Sequence, residues 1–340
     1  MILNVFSIIE IFINMISLIV MGWSGILAFI IVLRWKRSQS PSERSSLEDI
    51  SYLVLLSAIV VLGIRLLNWP LFYACLQSFV PDIEGAMCIF GVTQVKRVLT
   101  NISEIIKPIS FFLAGAWLIV HQLDQKTKTA SLMSTKLIFL VIMSLFIIIE
   151  SLIDIILMIQ ISPGKIVSCC TTVTDILNRQ TRLVPKVILG PKYSLILGFA
   201  FYILTILQIF FLYICLKIIS SNNNFRWRLS VLGFMFFFSI CNSVLFILSQ
   251  IEFFAPKIMG LPFHHCLYCL WQYVPDTILM YSLFILGTSA IGWSFFIDLV
   301  ARSKETIKYV ADYICNLYKL AMFCLTACIL MNSVHILICS

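Results

Sequence analysis

The chain has 340 residues, of which 61% are hydrophobic and only 12% charged, and its mean hydropathy is +1.02. Soluble domains carry about a quarter charged residues, so a water-soluble globule is excluded. With no glycine period, sustained heptad or long polar tract, collagen, coiled coil and disorder are excluded too. A polytopic membrane protein is what remains, and its formal net charge of +8 must be arranged around a bilayer.

A helix of roughly 20 apolar residues crosses a hydrocarbon core of about 30 Å. Eight apolar runs meet that requirement in chain order: 8–33, 52–79, 105–121, 136–160, 194–219, 229–250, 277–300 and 311–337. The third is the shortest and reaches spanning length only if it includes His121 or begins near Ile105. None alternates in the manner of a transmembrane strand. The expected fold is an all-α polytopic bundle of about eight transmembrane helices with three longer exoplasmic loops, forming a single integral membrane domain over residues 1–340. Met1-Ile2-Leu3-Asn4 lacks the basic stretch of a signal peptide, so the first run is expected to stay as a helix. The order of the runs shows no internal repeat.

Lys and Arg set the orientation. Four short connections are dense in them: Arg34, Lys36, Arg37 and Arg44; Lys126, Lys128 and Lys136; Lys217, Arg226 and Arg228; Arg302, Lys304 and Lys308. Three longer connections, 80–107, 161–193 and 251–276, spread Lys96, Arg97, Lys107, Lys165, Arg179, Arg182, Lys186, Lys192 and Lys257 over more chain. The denser set is expected inside, which places both termini on the exoplasmic side, the periplasm in a bacterium. Trp35 and Trp227 at inner ends, with Tyr193, Trp271 and Tyr273 at outer ends, suit interfacial anchors. The basic residues form no aromatic-lined groove, so nucleic acid is not expected as a partner; the lipid bilayer is.

The outer loops gather sulfur and imidazole. Cys88 lies in the first, Cys169 and Cys170 in the second, and Cys266 and Cys269 form a CxxC in the third, directly after His264 and His265. Cys75, His335 and Cys339 approach the same side from helix ends. Thiolate and imidazole are the ligands that soft or borderline cations of the Cu or Zn type prefer, and CxxC lets two sulfurs converge from one turn. Cys88, Cys169, Cys170, His264, His265, Cys266 and Cys269 are therefore the candidate metal ligands. CxxC is equally the geometry of a redox dithiol, whose attacking thiolate a neighbouring imidazolium would favour. Outside the cytoplasm, structural disulfides are the third possibility. Cys324 and Cys328, one turn apart in the last run, read as packing residues.

The stretch Cys266-Leu267-Tyr268-Cys269-Leu270-Trp271-Gln272 resembles the CxxC–aliphatic–aromatic–polar segment of the bacterial disulfide-forming quinone reductases. The resemblance covers about seven residues. Tyr273 stands where that family has arginine, and that family is built of four-helix units. In the oxidoreductase reading Cys266 and Cys269 are the catalytic pair, Cys169 or Cys170 relays electrons, and a quinone sits near the outer helix ends.

Ionisable groups at membrane depth are costly and informative. Arg65 in the second run and Glu150 in the fourth each lie about fourteen residues past their inner starts, hence at similar depth at 1.5 Å per residue. Asp154 shares the helix face of Glu150 by its i, i+4 spacing. Arg65 is expected to pair with one of these carboxylates, as a static ion pair or as part of a proton or ion relay. Asn68-Trp69-Pro70 follows Arg65 and is expected to kink its helix. Glu10 and Asp298, near span ends, are given no special role. Asn242 is expected to cross-link helices, and the small residues around Gly287 to allow close helix approach.

No Walker loop, dinucleotide fingerprint, HExxH or GxSxG is present, and no CxxCH signals covalent haem. Three functional readings stand: a membrane protein handling a soft metal ion at its outer face, a thiol–disulfide oxidoreductase coupled to quinone, and a non-catalytic anchor for other membrane subunits or an exoplasmic protein, its loops held by disulfides.

Overall fold

The structure is a computed structural model that describes residues 4–35, 41–127, 132–169, 174–221, 228–301 and 305–339. Lys36, Arg37, Lys128, Cys170, Arg226, Trp227, Arg302 and Lys304 lie outside the described residues, as do the side chains of Trp35, Arg44 and Cys339. The protein is an all-α polytopic bundle with no strand among the described residues. Eight helices are long and apolar enough to cross a membrane, at Val5–Arg34, Asp49–Asp82, Arg97–Gln125, Met133–Gln160, Tyr193–Ile219, Arg228–Ile258, Thr277–Val300 and Ile307–Ile338. All eight expected runs fall inside these helices. The third begins eight residues earlier than its apolar run does, because its N-terminal half is polar on the side facing the protein.

Two compact units divide the chain: Met1–Val167 with Val300–Ile307, and Ser168–Leu299 with Lys308–Ser340. In the first, α1 (Val5–Trp35) packs on α2 (Pro41–Ser78) and α5 (Met133–Gln160), while α4 (Arg97–Gln125) packs on α2 and α5. A short helix α3 (Ile89–Val95) precedes α4. Along α1 the buried positions are Ser7, Glu10, Asn14, Ser17, Met21, Ser24, Ala28 and Ile31, whereas Phe12, Ile19, Ile26 and Phe29 are exposed. A helix that buries its polar stripe and exposes its apolar one is built for lipid, where the bundle interior is the only place for hydrogen-bonding side chains. Gly25 lets α1 approach α5: a Cβ there would lie 2.7 Å from the Ser144 Cβ. Next to that crossing sits the apolar core, with Met21, Val54, Leu62, Trp117, Leu140 and Ile147 all buried.

The second unit holds α6 (Gln180–Leu189), α7 (Tyr193–Ser221), α8 (Arg228–Ser249), α9 (Ala255–Ile258), α10 (Leu267–Tyr273), α11 (Thr277–Val300) and α12 (Ile307–Cys339). An aromatic cluster joins α7, α8 and α11: Phe246 stacks on Phe284 at 3.9 Å, and Phe201 contacts both. Gly287 brings α11 against α12, since a Cβ there would meet the Cys324 Cβ and the Leu325 Cγ at 3.2 Å. Asn242 does cross-link, donating to Gln208 at 2.6 Å and to Thr205 at 3.2 Å on α7. Asp298 is not idle: it forms an ion pair with Arg228 at 2.5 Å. Past α8 the helix widens into a π turn, Gln250–Phe254, and then ends at the Gly260-Leu261-Pro262 break, where Gly260 has φ of +66°.

Candidate functional site

That break aims the CxxC. Leaving the left-handed Gly260 and Pro262, the chain runs through His264 and His265 into Cys266, which caps α10 in extended conformation (φ −88°, ψ 117°). Cys269 follows in the first turn, and i, i+3 spacing puts both side chains on one side. Both are buried, and their sulfurs lie within 4.8 Å of one another. Pro275 ends the short helix and Asp276 leads into α11.

The two histidines turn elsewhere. His264 faces Asp175, with Nδ1 to Oδ1 at 3.0 Å. His265 is buried, and its Nδ1 donates to the Ile251 carbonyl at 2.9 Å. Because a carbonyl only accepts, that contact leaves Nε2 as the basic nitrogen of a neutral ring. Burial pulls the His265 pKa below its ordinary value of 6.5. A charged imidazolium assisting the thiols, expected from the sequence, is thus disfavoured at this position.

Behind His265 the π turn presents Glu252 to Arg179. The guanidinium makes two bonds, Nε to Oε1 at 3.1 Å and NH2 to Oε2 at 2.6 Å, and the Tyr193 hydroxyl adds a third at 3.0 Å. Bidentate geometry of this kind fixes both side chains. It ties the loop before α6 to the end of α8, and with Asp175, Arg182, Lys257 and His265 it lines an open cleft of about 590 Å³. Sequence reasoning missed Glu252 and Tyr193 as site residues and used Arg179 only as an orientation charge. No spacing in the sequence links positions seventy residues apart.

The remaining candidates are also placed. Cys169 is buried in the second unit. Cys88 is buried in the first, at the start of α3, and Cys75 directs its thiol to the Met158 sulfur at 3.6 Å. No disulfide is formed among the described residues. The connection between α5 and α6 has two allegiances. Val167 donates to the Glu84 carbonyl at 3.0 Å within the first unit, while Asp175 and Arg179 bond within the second.

Membrane-embedded charges form the other constellation, inside the first unit. Arg65 does pair with Glu150, at 3.7 Å, and also donates to Asn14 at 2.9 Å and to Ser151. Two members escaped the sequence reading. Lys107, assigned to an outer loop, lies in α4, and its Nζ is 2.6 Å from Asp154, 3.4 Å from Glu150 and 3.9 Å from Glu10. Glu10, given no role, is fully buried. Ser110 donates to Glu150 at 2.6 Å and Ser103 to Asp154 at 2.9 Å. The polar residues Ser103, Lys107 and Ser110 interrupt the apolar pattern of α4 at helical spacing, the signal that would have revealed its true start. The helix of Arg65 continues through Pro70.

Comparison with protein-family models, with curated proteins and with solved structures finds no match to this chain.

Proposed function

We propose that this multi-pass membrane protein binds a soft metal ion, copper or zinc, through the thiolates of Cys266 and Cys269 on its exoplasmic side, with both termini on that side. The observation that carries the reading is the pair of buried sulfurs within 4.8 Å, set on one turn by a Gly–Pro break. An ion bonded to each sulfur at about 2.3 Å spans up to about 4.6 Å in linear Cu(I) coordination and about 3.8 Å in tetrahedral zinc coordination, so the pair closes by a few tenths of an ångström at most for Cu(I) and by about 1 Å at most for zinc. Thiolate pairs favour Cu(I) and Zn(II) over hard cations. Burial disfavours an uncompensated thiolate, and a bound cation supplies the missing compensation. Further donors complete the coordination of a zinc ion; two suffice for Cu(I).

The test uses full-length protein purified without reductant in lipid nanodiscs, with copper and zinc quantified by mass spectrometry alongside alkylation of free thiols. Wild type is expected to carry about one ion per chain, and Cys266→Ser and Cys269→Ser to lose it. His264→Gln and His265→Gln are expected to keep it, since the structure directs both rings to other partners. A metal-free wild type would overturn the reading. A reducible Cys266–Cys269 bond turning over with quinone would then identify an oxidoreductase, and inert thiols an anchoring subunit.

A further inference from the structure

We infer that Glu10 is a proton-binding site inside the membrane-embedded part of the first unit, its carboxyl group exchanging one proton while Lys107 shifts between carboxylates. The first observation is a count of charges at full burial. Glu10, Glu150 and Asp154 face Arg65 and Lys107, and all five side chains are at most 3% exposed. Three acids against two bases leave one carboxylate without a counter-charge, and a buried acid in that position holds a proton instead.

The second observation identifies which acid that is. Glu150 has one oxygen on Lys107 and the other on Ser110; Asp154 has one on Lys107 and the other on Ser103. Glu10 accepts a hydrogen bond only from the Asn14 amide, on Oε1 at 3.1 Å, with Lys107 Nζ farther off at 3.9 Å, and its Oε2 has no hydrogen-bond partner. A carboxylate is acceptor-only, with about four lone-pair sites to satisfy. Glu10 is the least compensated of the three, so the proton resides there.

The third observation lies on α2. Asn68, buried and one turn beyond Arg65, has neither amide atom bonded, and Arg65 Nε is also without a partner. Buried hydrogen-bonding capacity left unused in one state is available to a second. The groups facing Glu10 are Arg65 and Cys75 from α2, Lys107 from α4 and Asp154 from α5, with Glu150 reached through Lys107. On release, the Glu10 O–H bond breaks and the proton passes to water. The Lys107 ammonium, already 3.9 Å from Glu10, moves toward the new carboxylate. No other covalent bond changes.

Infrared spectra of the full chain in nanodiscs test this directly. Wild type is expected to show the carbonyl band of a protonated carboxyl group, sensitive to D2O and fading as pH is raised. Glu10→Gln, a mimic of the neutral form, is expected to lose the band while melting at the wild-type temperature. Identical carboxyl bands in wild type and Glu10→Gln would overturn the inference. A second measurement needs no variant: dicyclohexylcarbodiimide adds to protonated buried carboxyls, giving an N-acylurea without a leaving group. Mapping the adduct to Glu10 supports the site; an adduct on Glu150 or Asp154 instead, or none, overturns it. Metal content on Cys266 and Cys269 is independent of either result.

Discussion

Each unit contributes four long helices to the bilayer, yet they fill their interiors differently. The first buries charges: Arg65 and Lys107 against Glu150, Asp154 and Glu10. The second, between its long helices, buries neutral amides and hydroxyls, with Asn242 bonded to Gln208 and Thr205, and Gln250 bonded to Asn332 and Tyr281. Its ion pairs sit at helix ends: Arg179 with Glu252 at the π turn beyond α8, and Arg228 at the start of α8 with Asp298 near the end of α11. The contrast teaches that the two interiors have different tolerances. A neutral amide that loses its partner forfeits one hydrogen bond, whereas a charge that loses its partner is stranded in low dielectric.

The largest expected effect follows from that difference. Lys107→Met strands Asp154, while Glu150 keeps Arg65, and unfolding of the purified protein should show a loss of about 3–5 kcal/mol, the range for breaking a buried pair. Next come Arg65→Met and Glu150→Met, each destabilising alone for the same reason. Their combination should recover most of the loss, because Lys107 and Asp154 then balance one another; additive losses would show that the two residues do not act as a pair. Asn242→Leu should cost far less, about 0.6–1.7 kcal/mol. An Asn242→Leu loss matching that of Lys107→Met would erase the contrast between the units. The smallest effect concerns pH. His265 is held below 6.5 in the folded protein, so the unfolded chain takes up the proton first, and stability present above pH 6.5 declines as pH falls below it. His265→Gln should flatten that slope in thermal melts between pH 7 and pH 5.5.

Most of the membrane architecture was legible in the sequence, because apolar run length maps directly onto helix length. The failure at the third helix is instructive. Ser103, Lys107 and Ser110 made its first half read as loop, since hydropathy averages over a helix and cannot separate a polar stripe facing protein from a polar segment facing water. Glu10 was overlooked for a related reason: closeness to a span end reads as proximity to water, while burial depends on three neighbouring helices. The Arg65–Glu150 pair was readable because both charges lie inside apolar runs at matched depth. Among the connecting segments the sequence singled out Cys266 and Cys269 by their spacing. It could not show that His264 and His265 turn to Asp175 and Ile251, because the Gly260 bend and the π turn set those directions.

The metal reading rests on two sulfurs sharing one ion. X-ray absorption at the metal edge of the protein as isolated tests it most directly. Two sulfur neighbours at about 2.3 Å, replaced or lost in the Cys266→Ser and Cys269→Ser proteins, are the predicted result. A metal shell of oxygen and nitrogen alone, or a spectrum unchanged by removing both thiols, would contradict it.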